Sequence, residues 1–79
     1  MEPDLKRLRS GDLDAFESLV RTHEGAVRAF LRSRLRDWAS ADDLAQDVFV
    51  TAFQKIKSFR GDSSPATWLR GIAMNHLRN

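Results

Sequence analysis

SADDLAQDVFVTAFQKI, Ser40 to Ile56, repeats its apolar residues at intervals of three and four. Ala41, Leu44, Ala45, Val48, Phe49, Ala52, Phe53 and Ile56 fall on one broad face of an α-helix, the pattern of a helix packed on a core. Ser40 with Asp43 three residues later resembles a capping box, and Asp42 and Asp43 complement the positive end of the helix dipole. Lys55 and Lys57 suit the opposite end. A helix beginning at Ser40 is the expectation.

Upstream, two more helices can be read. Glu2 to Arg9 is short, with Leu5 and Leu8 three apart and Gly11 as a stop. Asp12 is placed to cap a longer helix whose Leu13, Phe16, Leu19, Val20, Val27, Phe30, Leu31 and Leu35 recur at helical spacing, with a break or kink open at Glu24-Gly25. Downstream, Gly61 suits a positive φ, and Asp62, Ser63 and Ser64 suit a turn. Ser64-Pro65 reads as the N-cap and first position of a last helix, which buries Trp68, Leu69, Ile72, Ala73 and Leu77. No strand alternation and no repeat occurs. The expected fold is an all-α bundle of about four helices, the long ones packed antiparallel.

Seventy-nine residues with a net charge of +2 make one small domain. The absence of cysteine excludes disulfides and thiolate metal sites and suits a reducing cytoplasm. No secretory signal and no apolar run of membrane-spanning length is present, so a soluble cytoplasmic domain without membrane insertion is expected. His23 lies on the apolar stripe of the second helix, and with His76 as the sole other histidine a metal site is not expected. No cofactor is expected either. Asp42 and Asp43, as helix neighbours, point about 100° apart and cannot bracket a substrate. Together with the lack of a glycine-rich phosphate cradle or a nucleophile elbow, this argues against an enzyme.

Charge is unevenly spread. Asp42, Asp43 and Asp47 cluster without a base, whereas Lys55, Lys57, Arg60, Arg70 and Arg78 face only Asp62 in the last third of the chain. Asp43, Gln46, Asp47, Val50 and Gln54 share one stripe opposite the core face of the third helix. Such a stripe fits a basic protein partner around a small apolar contact, or serves only as a solvated face. The turn of Gly61, Asp62, Ser63 and Ser64 offers backbone donors and hydroxyls beside a helix N-terminus. Arg70, Met74 and Asn75 follow it. Arginine and asparagine carry the donors and acceptors that hold an unstacked base of single-stranded nucleic acid. Trp68 is read as a core anchor rather than a stacking platform.

These residues resemble a known pattern. Asp42, Asp43, Leu44, Gln46, Asp47 and Phe49, then Phe59 to Ser63, then Trp68, Leu69, Ile72, Ala73 and Asn75, match in order three motifs of the second conserved region of bacterial extracytoplasmic-function (ECF) sigma factors. The segment Gly11 to Leu35 is similar to that region's opening helices. The resemblance implies a transcription initiation factor domain that binds core RNA polymerase at the β′ clamp helices and helps melt the promoter −10 element. By that analogy Asp42, Asp43, Gln46, Asp47, Val50 and Gln54 are the polymerase contacts. Lys55, Lys57, Arg60, Gly61, Asp62, Ser63, Ser64, Arg70, Gly71, Met74, Asn75 and Arg78 form the DNA face, with a flipped non-template-strand base received by the loop. An anti-sigma factor is a further implied partner. The alternative is a sigma-like interaction module that binds such a regulator without DNA. The chain departs from the pattern at Gly71, where the family often has arginine, and at Pro65, where relatives carry a bulkier residue. The family continues into a second helical domain that reads the −35 element. The expectation is therefore a single region 2 domain over residues 1–79, a fragment of a longer protein.

Overall fold

A computed structural model describes residues 4–78. Among them are four α-helices: α1 (Leu5–Arg9), α2 (Leu13–Arg32), α3 (Trp38–Lys55) and α4 (Pro65–Arg78), with a single 3-10 turn, Ile56–Ser58, closing α3. The all-α bundle expected from the sequence is what is found, and no strand occurs among the described residues. No helix among them is long and apolar enough to cross a membrane.

Carboxylates start the first three helices. Asp4 accepts from the Lys6 amide, Asp12 from the Ala15 amide and Asp37 from the Ala39 amide. Gly11, at φ +85°, turns the chain between α1 and α2. Ser64 begins α4 as expected: its Oγ accepts from the Thr67 amide at 3.2 Å.

Three boundaries differ from the sequence reading. α1 begins at Leu5, and the Glu2 and Pro3 included in the expected segment lie outside the described residues, as does Asn79. α2 runs unbroken through Gly25, because buried His23 and Val27 pin the helix on both sides and Arg28 bridges back to Glu24 across it. It ends at Arg32, so Leu35 belongs to the reversing connection 33–37. α3 begins at Trp38, not at Ser40. Asp37 is the stronger cap, since its carboxylate takes the Ala39 amide at 3.1 Å and the Ser40 hydroxyl at 2.9 Å. Ser40 thus supports the cap from inside the first turn.

Two apolar clusters hold the helices together. The larger joins Val27 and Leu31 of α2, Ala41, Ala45, Val48 and Ala52 of α3, and Leu69, Ile72 and Ala73 of α4. The three alanines of α3, Ala41, Ala45 and Ala52, let α2 and α4 approach it closely, because interaxial distance follows side-chain size at the contact. The smaller cluster joins Leu8 of α1, Ala15 and Leu19 of α2, and Ile56 and Phe59 after α3. Phe16 and Trp68 touch both. Two residues expected on apolar faces are exposed: Leu13, at the first position of α2, is 66% exposed, and Phe53 is 43% exposed and meets Phe16 edge-on at 5.1 Å. Phe53 lies at the margin of a wide apolar face that α2 does not fully cover.

Candidate nucleic-acid and protein interfaces

The 59–64 loop borders a shallow, open concavity lined by Ser58, Phe59, Arg60, Asp62, Ser63 and Trp68. Two of these residues are aromatic. Phe59 is buried, and its ring stacks on Trp68 at 4.5 Å and 19°. Trp68 therefore does two things: it anchors the core as expected, and it also faces the concavity. Arg60 and Asp62 form a loose pair at 3.5 Å, both 80% exposed. A pair so solvated holds little and leaves both groups free to engage a ligand. Gly61 and Ser64 shape the loop instead of lining it. Gly61 has φ +79°, and Ser64 spends its hydroxyl on the α4 cap.

On α4 the expected DNA-facing residues divide between two edges. Arg70 and Asn75 are five residues apart, hence about 140° apart around the helix. Asn75 faces α3, where it shares a depression of about 480 Å³ with Thr51, Lys55, Ile72 and His76, and His76 hydrogen-bonds Thr51 at 2.8 Å. Arg70 faces α2, its guanidinium 5.4 Å from the Phe30 ring centre. Half-buried Met74 and exposed Gly71 and Arg78 lie between these edges. Lys57 is exposed on the 3-10 turn. The structure thus brings Lys55 and Asn75 together, and Arg60, Asp62 and Ser63 together, but sets Arg70 apart from both groups.

The α3 stripe also divides. Gln46, Val50 and Gln54 border an open groove of about 720 Å³ with Phe16, Phe49 and Phe53. Val50, read from sequence as an isolated apolar residue, is part of a larger hydrophobic surface. Asp43 and Asp47 line a separate depression with Leu35, Ser40, Leu44, His76 and Leu77. Asp42 is engaged within the fold: Arg32 donates to it twice, at 3.1 and 3.0 Å, from the end of α2, and stacks over exposed Trp38 at 4.8 Å.

Sequence reasoning missed the support beneath the loop. Arg9 of α1 donates from Nε to the Phe59 carbonyl at 2.7 Å, across fifty positions of sequence. A Cβ on Gly61 would lie 2.7 Å from Leu5 Cδ2. α1 is itself tied to α2, because Arg7 Nε donates to the Asp12 carboxylate at 2.8 Å and the Asp12 amide donates to the Arg7 carbonyl. That ion pair, with the Ala15 amide, holds the Asp12 carboxyl below its ordinary value. Nothing local in "LKRLR" marks Arg9 as a partner of the loop.

The sigma-70 region 2 family model matches residues 19–79. Over 75 residues, 95% of this chain, it is 35% identical to RNA polymerase sigma-H factor of Pseudomonas aeruginosa, 39% to ECF RNA polymerase sigma-E factor of Escherichia coli K12 and 36% to that of Haemophilus influenzae. The matched part is 39% of each relative, so the chain spans about two fifths of the length of these curated relatives. No solved structure matches it significantly. The family model covers most of the chain, relatives align over nearly all of it, and the bundle is all-helical: the chain belongs to the sigma-70 region 2 family, whose members are non-enzymatic transcription initiation factors.

Proposed function

We propose that this chain docks on core RNA polymerase through the exposed face of α3 and captures a base of the promoter −10 non-template strand in the 59–64 concavity. The observation that carries this reading is the stacked pair of Phe59 and Trp68 bordering the same open concavity as the polar Arg60, Asp62 and Ser63. A flipped base needs a surface to rest against and hydrogen-bonding groups at its edge. Lys55 and Asn75 on the α3–α4 seam follow the strand away from the loop, with Lys55 toward phosphate and Asn75 toward a base edge. Lys57 and Arg78 add charge outside the seam. Arg70 serves phosphate only along its own, α2-facing edge.

On α3, the groove of Phe16, Phe49, Val50 and Phe53 supplies the apolar centre of an interface, and Asp43 and Asp47 supply its acidic rim. The β′ clamp helices are the proposed occupant. The same groove favours a second reading, an interaction module that binds an anti-sigma factor without DNA. Either partner places the protein in the bacterial cytoplasm.

A panel of single-stranded −10 oligonucleotides, each varied at one base, separates the readings. Base capture predicts a preference focused on one position and a log-log salt slope of about −0.7 per phosphate neutralised. Asn75→Ala should erode sequence preference, whereas Lys57→Ala should weaken every sequence alike. Asp47→Arg should weaken clamp binding and leave oligonucleotide binding intact. A flat panel, with a regulator still bound, would support the interaction module.

A further inference from the structure

The 59–64 loop is contacted from α1 at two points. Its two fixed points lie at Phe59, whose carbonyl accepts from Arg9 Nε at 2.7 Å, and at Gly61, which lies against Leu5. Arg60, on the rim of the concavity, is the residue between them. Both supports come from α1, which lies outside residues 19–79 matched by the family model. We propose that α1 is a backing plate for the base-capture loop and that Arg9 is a positioning residue for DNA recognition, acting through the Phe59 carbonyl without touching the nucleotide. This rests on the base-capture reading above.

The physical argument is one of pre-organisation. A free loop must be ordered when a ligand binds, and that entropy is subtracted from affinity. α1 removes part of the cost beforehand. Leu8 packs with Ile56 and Phe59, Leu5 lies against Gly61, and Arg9 satisfies a carbonyl where the chain leaves the 3-10 turn. Arg7 also bonds the Asp12 carboxylate and accepts from the Asp12 amide, which ties the end of α1 to the start of α2. Arg60, Asp62 and Ser63 gain specificity only if the backbone carrying them stays in register with the stacked Phe59–Trp68 pair.

The test separates Arg9 as a donor from Arg9 as a charge. Glutamine carries its amide nitrogen as many bonds from the backbone as arginine carries Nε, but has no charge; methionine matches the length without a donor. Arg9→Gln and Arg9→Met are compared with the parent 79-residue chain on the best and the scrambled member of the oligonucleotide panel. Amide hydrogen exchange at Gly61, Asp62 and Ser63 is followed without DNA. The expected result is that Arg9→Met weakens the best oligonucleotide about fivefold, the fold-change of one lost hydrogen bond, and leaves the scrambled one unchanged. Its loop amides exchange faster, while Arg9→Gln behaves as the parent on both oligonucleotides and in exchange. Equal weakening of both oligonucleotides by both variants would make Arg9 a phosphate contact and overturn the proposal. So would unchanged loop exchange in Arg9→Met. If the parent shows no base preference, base capture itself fails, while the exchange comparison still decides whether α1 holds the loop. Should Arg9→Met lose its helical circular dichroism, Leu5→Ala, acting at Gly61, carries the same comparison.

Discussion

The exposed face of α3 and the 59–64 loop present residues to partners in opposite ways. On α3, Asp43, Gln46, Asp47, Val50 and Gln54 are placed by helical periodicity alone, and the backbone that carries them is satisfied within its own helix. In the loop, Arg60, Asp62 and Ser63 are placed by contacts from elsewhere: α1 beneath, Trp68 of α4 beside and Ile56 behind. A helical face tolerates the loss of any one side chain without changing shape. A loop held from outside does not. Recognition and stability should therefore separate on α3 and coincide at the loop.

Two phenylalanines make the sharpest contrast. Phe59 is 5% exposed and stacked on Trp68, so Phe59→Ala should cost about 3–5 kcal/mol, enough to unfold much of a small domain. Phe53 is 43% exposed beside the open α3 groove. Phe53→Ala should lower thermal stability far less, because over two fifths of that residue already faces water, while still weakening binding of the proposed β′ clamp partner. Urea melts and clamp-binding titrations of the pair would check this. A Phe53→Ala variant as unstable as Phe59→Ala would erase the distinction between the two regions.

The same contrast explains what could be read from sequence. α3's buried positions and its exposed stripe both follow a period set by the chain itself, so they were legible. So was the Ser64-Pro65 start of α4, which is a local signal. The α3 start was misjudged because two capping patterns overlap, and Asp37 outcompetes Ser40 by accepting from Ser40 itself. Phe53 was assigned to the core because periodicity gives the direction of a side chain without saying whether a neighbouring helix reaches it. Arg9's partner is fifty residues away, and Arg70's position over Phe30 depends on how α4 lies on α2. Neither leaves a trace in local pattern.

Gly71 and Gly25 sharpen the comparison from the helical side. Each lies within a helix, and a Cβ added at either would meet nothing within 4 Å. Gly25→Ala and Gly71→Ala should each stabilise by about 1 kcal/mol, the helix-propensity difference, without disturbing packing. Gly61→Ala should do the reverse. Its φ of +79° is one that side chains rarely adopt, whereas the 2.7 Å approach to Leu5 Cδ2 can be relieved by turning that side chain. Thermal melts of the three variants should therefore move in two directions. If Gly61→Ala were as stable as the parent, the loop would not need its positive φ at this position.

Acid should distinguish the two regions by the smallest margin. The Asp37 carboxyl, which caps α3, lies below its ordinary value because the Ser40 hydroxyl and then the Ala39 amide bond to its charged form. The Asp12 carboxyl, which joins α1 to α2, is lowered first by its bond from Arg7 and then by the Ala15 amide. A carboxylate lowered on folding stabilises the native state above its unfolded value, and that contribution is lost as pH falls through the folded one. Melting temperature should therefore be insensitive to these two groups from pH 7 down to about 5, and fall below about 4. Asp37→Asn keeps a good cap and removes its titration, so it should shallow the acid loss at any salt. Asp12→Asn also keeps a cap but loses the ion pair, and its effect should shrink in about 1 M salt, where screening acts within about 3 Å. Melts of both variants at pH 3, 4 and 7, in low and high salt, measure the difference. Equal salt dependence would mean that the α1–α2 joint rests on its neutral hydrogen bonds, and α1 would then back the loop as firmly in high salt as in low.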